Sequence, residues 1–123
     1  MSLVLGIDPG SIKVGWSAVL DGLPVAGGTI DSRDRQASRV ITAMFTQMQF
    51  MIGRAHPDAI AVEEGNTQPH TRLLITAARH HARRLDIPVR TVRPGRYGRL
   101  PRRRWSSNHE KDACRAAINA KFK

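Results

Sequence analysis

The sequence predicts one α/β domain of five strands and three helices, and three observations carry that expectation. Three short apolar runs follow one another near the start, separated by turns rich in Pro, Gly and Asp. The apolar period then switches from strand-like to helical at about residue 35. Beyond it, short apolar runs alternate with helix-period segments, so the order reads strand, strand, strand, helix, strand, helix, strand, helix. With 123 residues there is room for one core and too little for two, so residues 1–123 are read as a single domain.

Leu3-Val4-Leu5-Gly6-Ile7 ends in Asp8, the backbone turns on Pro9 and Gly10, and Val14 to Val19 follows as a second run of β-formers. This is a hairpin with Asp8 at its mouth. An aspartate closing a buried strand needs a partner, and a divalent cation is one of the few adequate ones; a turn-forming Asp-Pro-Gly that only caps the strand is the plainer reading. Asp21-Gly22-Leu23-Pro24 makes a second turn. Val25 to Ile30 is a third strand, in which Gly27-Gly28 weakens the strand or marks a bulge, and the three together imply an antiparallel meander.

Val40, Ile41, Met44, Phe45, Met48, Met51 and Ile52 recur at helical spacing, which predicts an amphipathic helix over residues 35–55. Asp31, Ser32 and Asp34 supply its capping signals, and the methionine-rich stripe is read as the face lying on the sheet. His56-Pro57-Asp58 stops it. Ala59 to Val62 is wholly apolar, as in a strand buried on both faces, and it ends in Glu63-Glu64. The logic of Asp8 repeats here, since open α/β sheets place ligands at the carboxyl ends of their strands. Side chains alternate along a strand, so only one of Glu63 and Glu64 can meet Asp8.

Residues 65–69 form a loop. Leu73, Leu74, Ala77, Ala78, Ala82 and Leu85 then mark a second helix ending before Asp86, whose other face carries Arg72, Arg79, His80, Arg83 and Arg84. That face is either solvated or tracks phosphates. His80 and His81 are adjacent and face different ways, which speaks against a His-His metal pair. Pro88 to Val92 is a fifth strand. The last helix, residues 108–121, has Ser107 or Asn108 as its N-cap candidate. His109 and Asp112 share a face at three-residue spacing, and Ala113, Ala116 and Ala117 let the helix sit close to the sheet. An acid at a helix start is also favoured by the dipole, so both side chains could be ordinary surface residues.

Charge is lopsided. Residues 1–62 hold five Lys/Arg and five Asp/Glu and residues 63–123 hold fifteen against five, so the net +10 lies in the second half. A pI near 11.4 argues for a polyanionic partner, and nucleic acid fits better than a membrane, since there is neither an apolar span nor a basic helix with exposed aromatics. The focus of that charge is Arg93-Pro94-Gly95-Arg96-Tyr97-Gly98-Arg99-Leu100-Pro101-Arg102-Arg103-Arg104-Trp105. Its arginines interleave with two aromatic rings, a combination suited to phosphate pairing and base or sugar stacking, although a disordered positive tether would read the same way. Cys114 alone cannot form an intrachain disulfide and is read as a packing residue. With no secretory signal, a reducing cytoplasm is expected.

The stretch LGIDPGSIKVGW resembles the first motif of the RuvC family of Holliday junction resolvases, in the ribonuclease H-like superfamily. The resemblance extends to two apolar residues followed by Glu63, and to a final helix in which His109 precedes Asp112-Ala113. It implies a mixed five-stranded sheet with helices on both faces and selects Glu63 over Glu64. It also implies that Asp8, Glu63, His109 and Asp112 converge on two Mg²⁺ or Mn²⁺ ions, which hard oxygen ligands favour and which would lie about 3.5 to 4 Å apart. The activity implied is resolution of four-way DNA junctions by a homodimer in a bacterial or phage-infected cell, leaving 5′-phosphate and 3′-hydroxyl ends. Arg93, Arg96, Tyr97, Arg99, Arg102, Arg103, Arg104 and Trp105 would bind the DNA. Family members often place an aromatic wedge after the catalytic Glu, where Gly65-Asn66-Thr67 offers none, and the segment before the last helix is shorter here, as in a compact or phage-like member. The alternatives are a branched-DNA or RNA-processing nuclease of the same superfamily and a non-catalytic DNA-binding module. An actin-like ATPase shares the Asp-x-Gly hairpin but needs a second lobe.

Overall fold

The computed structural model describes residues 2–10, 12–64, 68–93 and 100–120. Its elements are β1 (Leu3–Pro9), β2 (Lys13–Leu20), β3 (Leu23–Asp31), α1 (Ala37–Ile52), β4 (Ala59–Glu63), α2 (Pro69–Leu85), β5 (Val89–Val92) and α3 (Asn108–Asn119). They form one mixed sheet in the order β3-β2-β1-β4-β5, with β1 antiparallel to β2 and parallel to β4. This is the predicted α/β architecture, and it leaves β1 in the centre.

Alternation along the strands sorts the side chains into two layers. Leu3, Leu5 and Ile7 of β1, Val14, Trp16 and Ala18 of β2 and Ile60 and Val62 of β4 face one way, where they bury Val40, Ile41, Met44 and Met48 of α1 and Leu74 and Ala78 of α2. Val4, Val19, Ala59 and Ala61 face the other way and pack against Cys114, Ala116 and Ala117 of α3. The methionine stripe therefore does face the sheet, except at its end, where Met51 is exposed. Cys114 is free and buried, and burial pushes its thiol up, as befits a packing residue.

Local chemistry sets the turns. Asp21 and Gly22 both have positive φ, the signature of the two-residue hairpin turn whose twist matches its strands. The sheet's irregularity falls between Ala18 and Val19, opposite Val25, and not at Gly27-Gly28. Nor do Asp31, Ser32 and Asp34 cap α1. Its N-cap is Gln36, with no side-chain hydrogen bond, because Ser32 Oγ donates to the Ile12 carbonyl and Asp31 accepts from Arg33. The helix ends at Gly53, whose left-handed φ of 72° closes the last turn onto the Gln49 carbonyl.

The docking of α3 is unusually close. A β-carbon built on Gly6 would overlap the Ala113 carbonyl, and one on Gly15 would overlap the His109 carbonyl. Only glycine on the strands and alanine on the helix leave enough space. Ser107 holds the helix start by accepting the Glu110 backbone N–H at 3.2 Å.

Gly6→Ala is expected to cost about 3 kcal/mol, the upper end of overpacking, because rigid helix backbone must retreat. Gly53→Ala meets open space and should cost only about 1 kcal/mol for its left-handed φ. Urea denaturation of the two variants compares them; equal losses would mean that α3 tolerates displacement.

Candidate metal centre

Three elements bring carboxylates to one edge of the sheet. Ile7 pairs with Val62 across the parallel β1·β4 ladder, so Asp8 and Glu63 are the next residues of neighbouring strands and share the α3 face. The close seat of α3 then brings Asp112 down to them. One oxygen from each of Asp8, Glu63 and Asp112 lies within 4.8 Å of the others, an arrangement able to hold a metal ion. Glu64 is exposed, its side chain off this cluster.

The carboxylates disturb one another. Glu63 is pushed up to about 7, first by burial and then by the negative charges of Asp8 and Asp112. Asp8 is also raised, by burial that outweighs its hydrogen bond with His109. Asp8 and Glu63 thus resist ionisation until positive charge is supplied. Arg115 supplies some of it, and His109 adds a hydrogen bond. His109 Nδ1 lies 2.9 Å from Asp8 Oδ2, and Arg115 Nη1 lies 2.9 Å from Asp112 Oδ1 and lowers Glu63. His109 thus stands beside the carboxylate trio, bonded to one member, and is not itself one of the three grouped ligands.

Arg115 went unread in the sequence, although its three-residue spacing from Asp112 was a usable signal. Glu110 was unread too. It is 3% exposed; its Oε1 accepts the Ser106 N–H at 3.0 Å, and its Oε2 faces Gly27 with the Arg103 Nη2 4.0 Å away. The pattern Ser107-x-x-Glu110 is that of a capping box, which is the signal that could have found it.

The described end of the basic segment, from Leu100 to Trp105, packs on the α3 side. Arg93, Arg102, Arg103 and Arg104 are exposed, whereas Arg96, Tyr97 and Arg99 fall outside the described residues. Trp105, read as a stacking ring, is half-buried against the α3 layer, with the Arg103 guanidinium 5.0 Å from its ring centre. A groove of about 660 Å³ lies here, lined by Arg102, Arg103, Trp105, Lys111 and Arg115 among others. Arg115 therefore borders both the groove and the acids.

No protein-family model and no curated protein matches the sequence. Solved structures do. Thermus thermophilus RuvC in complex with Holliday junction substrate is 19% identical, with a TM-score of 0.67 over 96% of this chain and 91% of that one. The Fowlpox virus resolvase in complex with substrate Holliday junction DNA is 13% identical, with a TM-score of 0.60 over 78% of this chain and 63% of that one. An uncharacterized protein from Pseudomonas aeruginosa with similarity to peptidase YEAZ is 23% identical, at 0.62 over 76% and 44%. These likenesses establish a ribonuclease H-like fold of the kind seen in RuvC and the poxvirus resolvase.

A pH dependence follows from Glu63. Its folded value of about 7 lies above its ordinary value of 4.5, so the folded state holds the extra proton between those limits. The associated stability is complete below about pH 4.5 and is lost as pH rises through 7. In chelator, the urea midpoint should accordingly fall across that window, less steeply in Glu63→Gln, while added Mg²⁺ should offset the fall. A variant whose slope equals that of the wild type would contradict the placement of Glu63.

Proposed function

We propose that this ribonuclease H-like domain is a metal-dependent endonuclease for branched DNA, most specifically a resolvase of four-way junctions. The observation that carries the reading is the convergence of Asp8, Glu63 and Asp112 from β1, β4 and α3, with burial and neighbouring negative charge raising Glu63 and Asp8. An all-oxygen donor set of this kind suits Mg²⁺ or Mn²⁺. The likeness in fold to two resolvases bound to Holliday junction DNA supports the choice of substrate.

Asp8 would contribute to both of two ion sites, Glu63 to one and Asp112 to the other. Bound ions would supply Lewis-acid activation of a water and neutralisation of the leaving oxygen. His109 has one ring nitrogen engaged by Asp8, which leaves the other to orient the attacking water instead of completing an ion site. Arg115 holds Asp112 in place beside the scissile position. The groove along Arg102, Arg103 and Lys111 would take the phosphate backbone, with Arg93, Arg104 and the segment containing Arg96, Tyr97 and Arg99 extending it. Trp105 would serve as the packed floor under Arg103. Cutting would leave 5′-phosphate and 3′-hydroxyl ends, and a homodimer would present two sites to strands of like polarity.

The test is cleavage of a labelled four-way junction beside linear duplex and single-stranded RNA of matched sequence, in Mg²⁺, Mn²⁺ or chelator. Paired symmetric nicks confined to the junction and dependent on metal are expected. Asp8→Asn should bind the junction with near-normal affinity and cut at least about a thousandfold more slowly. Preferred RNA cleavage would make the protein an RNA-processing nuclease, and tight binding without cutting in any metal would make it a binding module.

A further inference from the structure

The α1 and α2 layer, on the sheet face opposite α3, carries only one sign of charge. No Asp or Glu occurs between residues 35 and 57 or between residues 65 and 85. Arg72, Arg79, Arg83 and Arg84 of α2 are all exposed. At 100° per residue, Arg72, Arg79 and Arg83 fall within about 40° of one another, away from the face that buries Leu74, Ala77 and Ala78. They form one outward stripe, about 16 Å long. None of the three makes an ion pair or side-chain hydrogen bond among the described residues.

Local helix energetics does not account for this row. Arg79 and Arg83, four apart, repel each other, and Arg72 lies close to the helix start, where the dipole disfavours positive charge. Only Arg83 and Arg84, in the last turn, are favoured by the dipole. The position of the row is informative. α2 begins at the edge of the sheet that carries the acids, where Thr71 Oγ1 donates to the Pro9 carbonyl at 3.3 Å, and runs back along the face opposite the groove of Arg102, Arg103 and Lys111.

We propose that the Arg72-Arg79-Arg83 stripe is a second track for a nucleic-acid backbone, separate from the groove beside α3. The inference rests on the nuclease reading above and deepens it: two positive surfaces on opposite faces of the sheet, meeting at the acids, fit two diverging duplex arms of one branched molecule. The stripe spans about five phosphates of one strand along a duplex axis, and guanidinium groups bind phosphate in a bidentate manner. A second copy of this chain is a poor occupant, because its own α2 would bring the same charges face to face.

The experiment measures binding of a four-way junction and a linear duplex against salt concentration, in chelator, for the whole chain and for two triple variants at Arg72, Arg79 and Arg83, all to Gln or all to Lys. The Gln variant should weaken junction binding about tenfold at 0.1 M salt and reduce the magnitude of its salt slope by about 2 to 3. The duplex slope should change by less than about 1, and the Lys variant should restore the junction slope. Thermal denaturation should be unaltered in both, since the arginines are exposed. An unchanged junction slope, equal losses on both substrates, or failure of Lys to restore would overturn the proposal. An unchanged slope with metal-dependent cutting intact would remove the track and leave the nuclease; a reduced slope in a protein that never cuts would do the reverse.

Discussion

The close seat of α3 on β1 and β2 is the constraint on which the rest depends. Glycine at positions 6 and 15 lets the helix backbone approach the sheet where any side chain would hold it off. The helix adds small Ala113, Ala116 and Ala117 from its own side. A wider gap would leave the hydrophobic layers filled by larger residues and the fold intact, yet Asp112 would no longer reach the pair of acids at the strand ends. Packing density thus translates directly into the spacing of charged groups.

That spacing creates an electrostatic problem that the protein only half solves for itself. His109 faces Asp8 and Arg115 faces Asp112, but among the described residues Glu63 has no comparable partner and remains raised. Neutralisation is thus incomplete, and a cation bound among the three acids would complete it. Glu110 follows a different rule, although it is a neighbour on the same helix. Its buried carboxylate ties Ser106 and the approach to Arg103, so one turn of α3 supplies both a carboxylate of the cluster and an anchor for the basic segment.

Much of this was legible in the chain. The strand runs, the switch of period at the first helix, and the alanines of α3 follow from local patterns that tertiary structure reinforces. Alternation established that only one of Glu63 and Glu64 could join Asp8, and the register of β1 with β4 shows why it is Glu63: it shares the face with Asp8 and α3. Legibility ended where long-range partners compete for local groups. Ser32 and Asp31 have the chemistry of helix caps but are used by Ile12 and Arg33. Trp105 looks like a stacking platform in a polar segment, but an apolar layer built by distant residues draws it in. Glu110 fits a local capping-box pattern, but nothing local reveals that Gly27 leaves room to bury its carboxylate.

The acids are also far apart in the chain. Asp8 and its partner His109 are separated by 101 positions, with every other element of the sheet and both helices of the opposite layer between them. During synthesis the strands can pair and the α1 and α2 layer can close while α3 is still inside the ribosome, and such an intermediate has two of the three carboxylates with nothing to set their distance. Assembly of the acidic trio would therefore come in a single late step, the docking of one twelve-residue helix, so that a nascent chain passes through most of its folding with the trio incomplete.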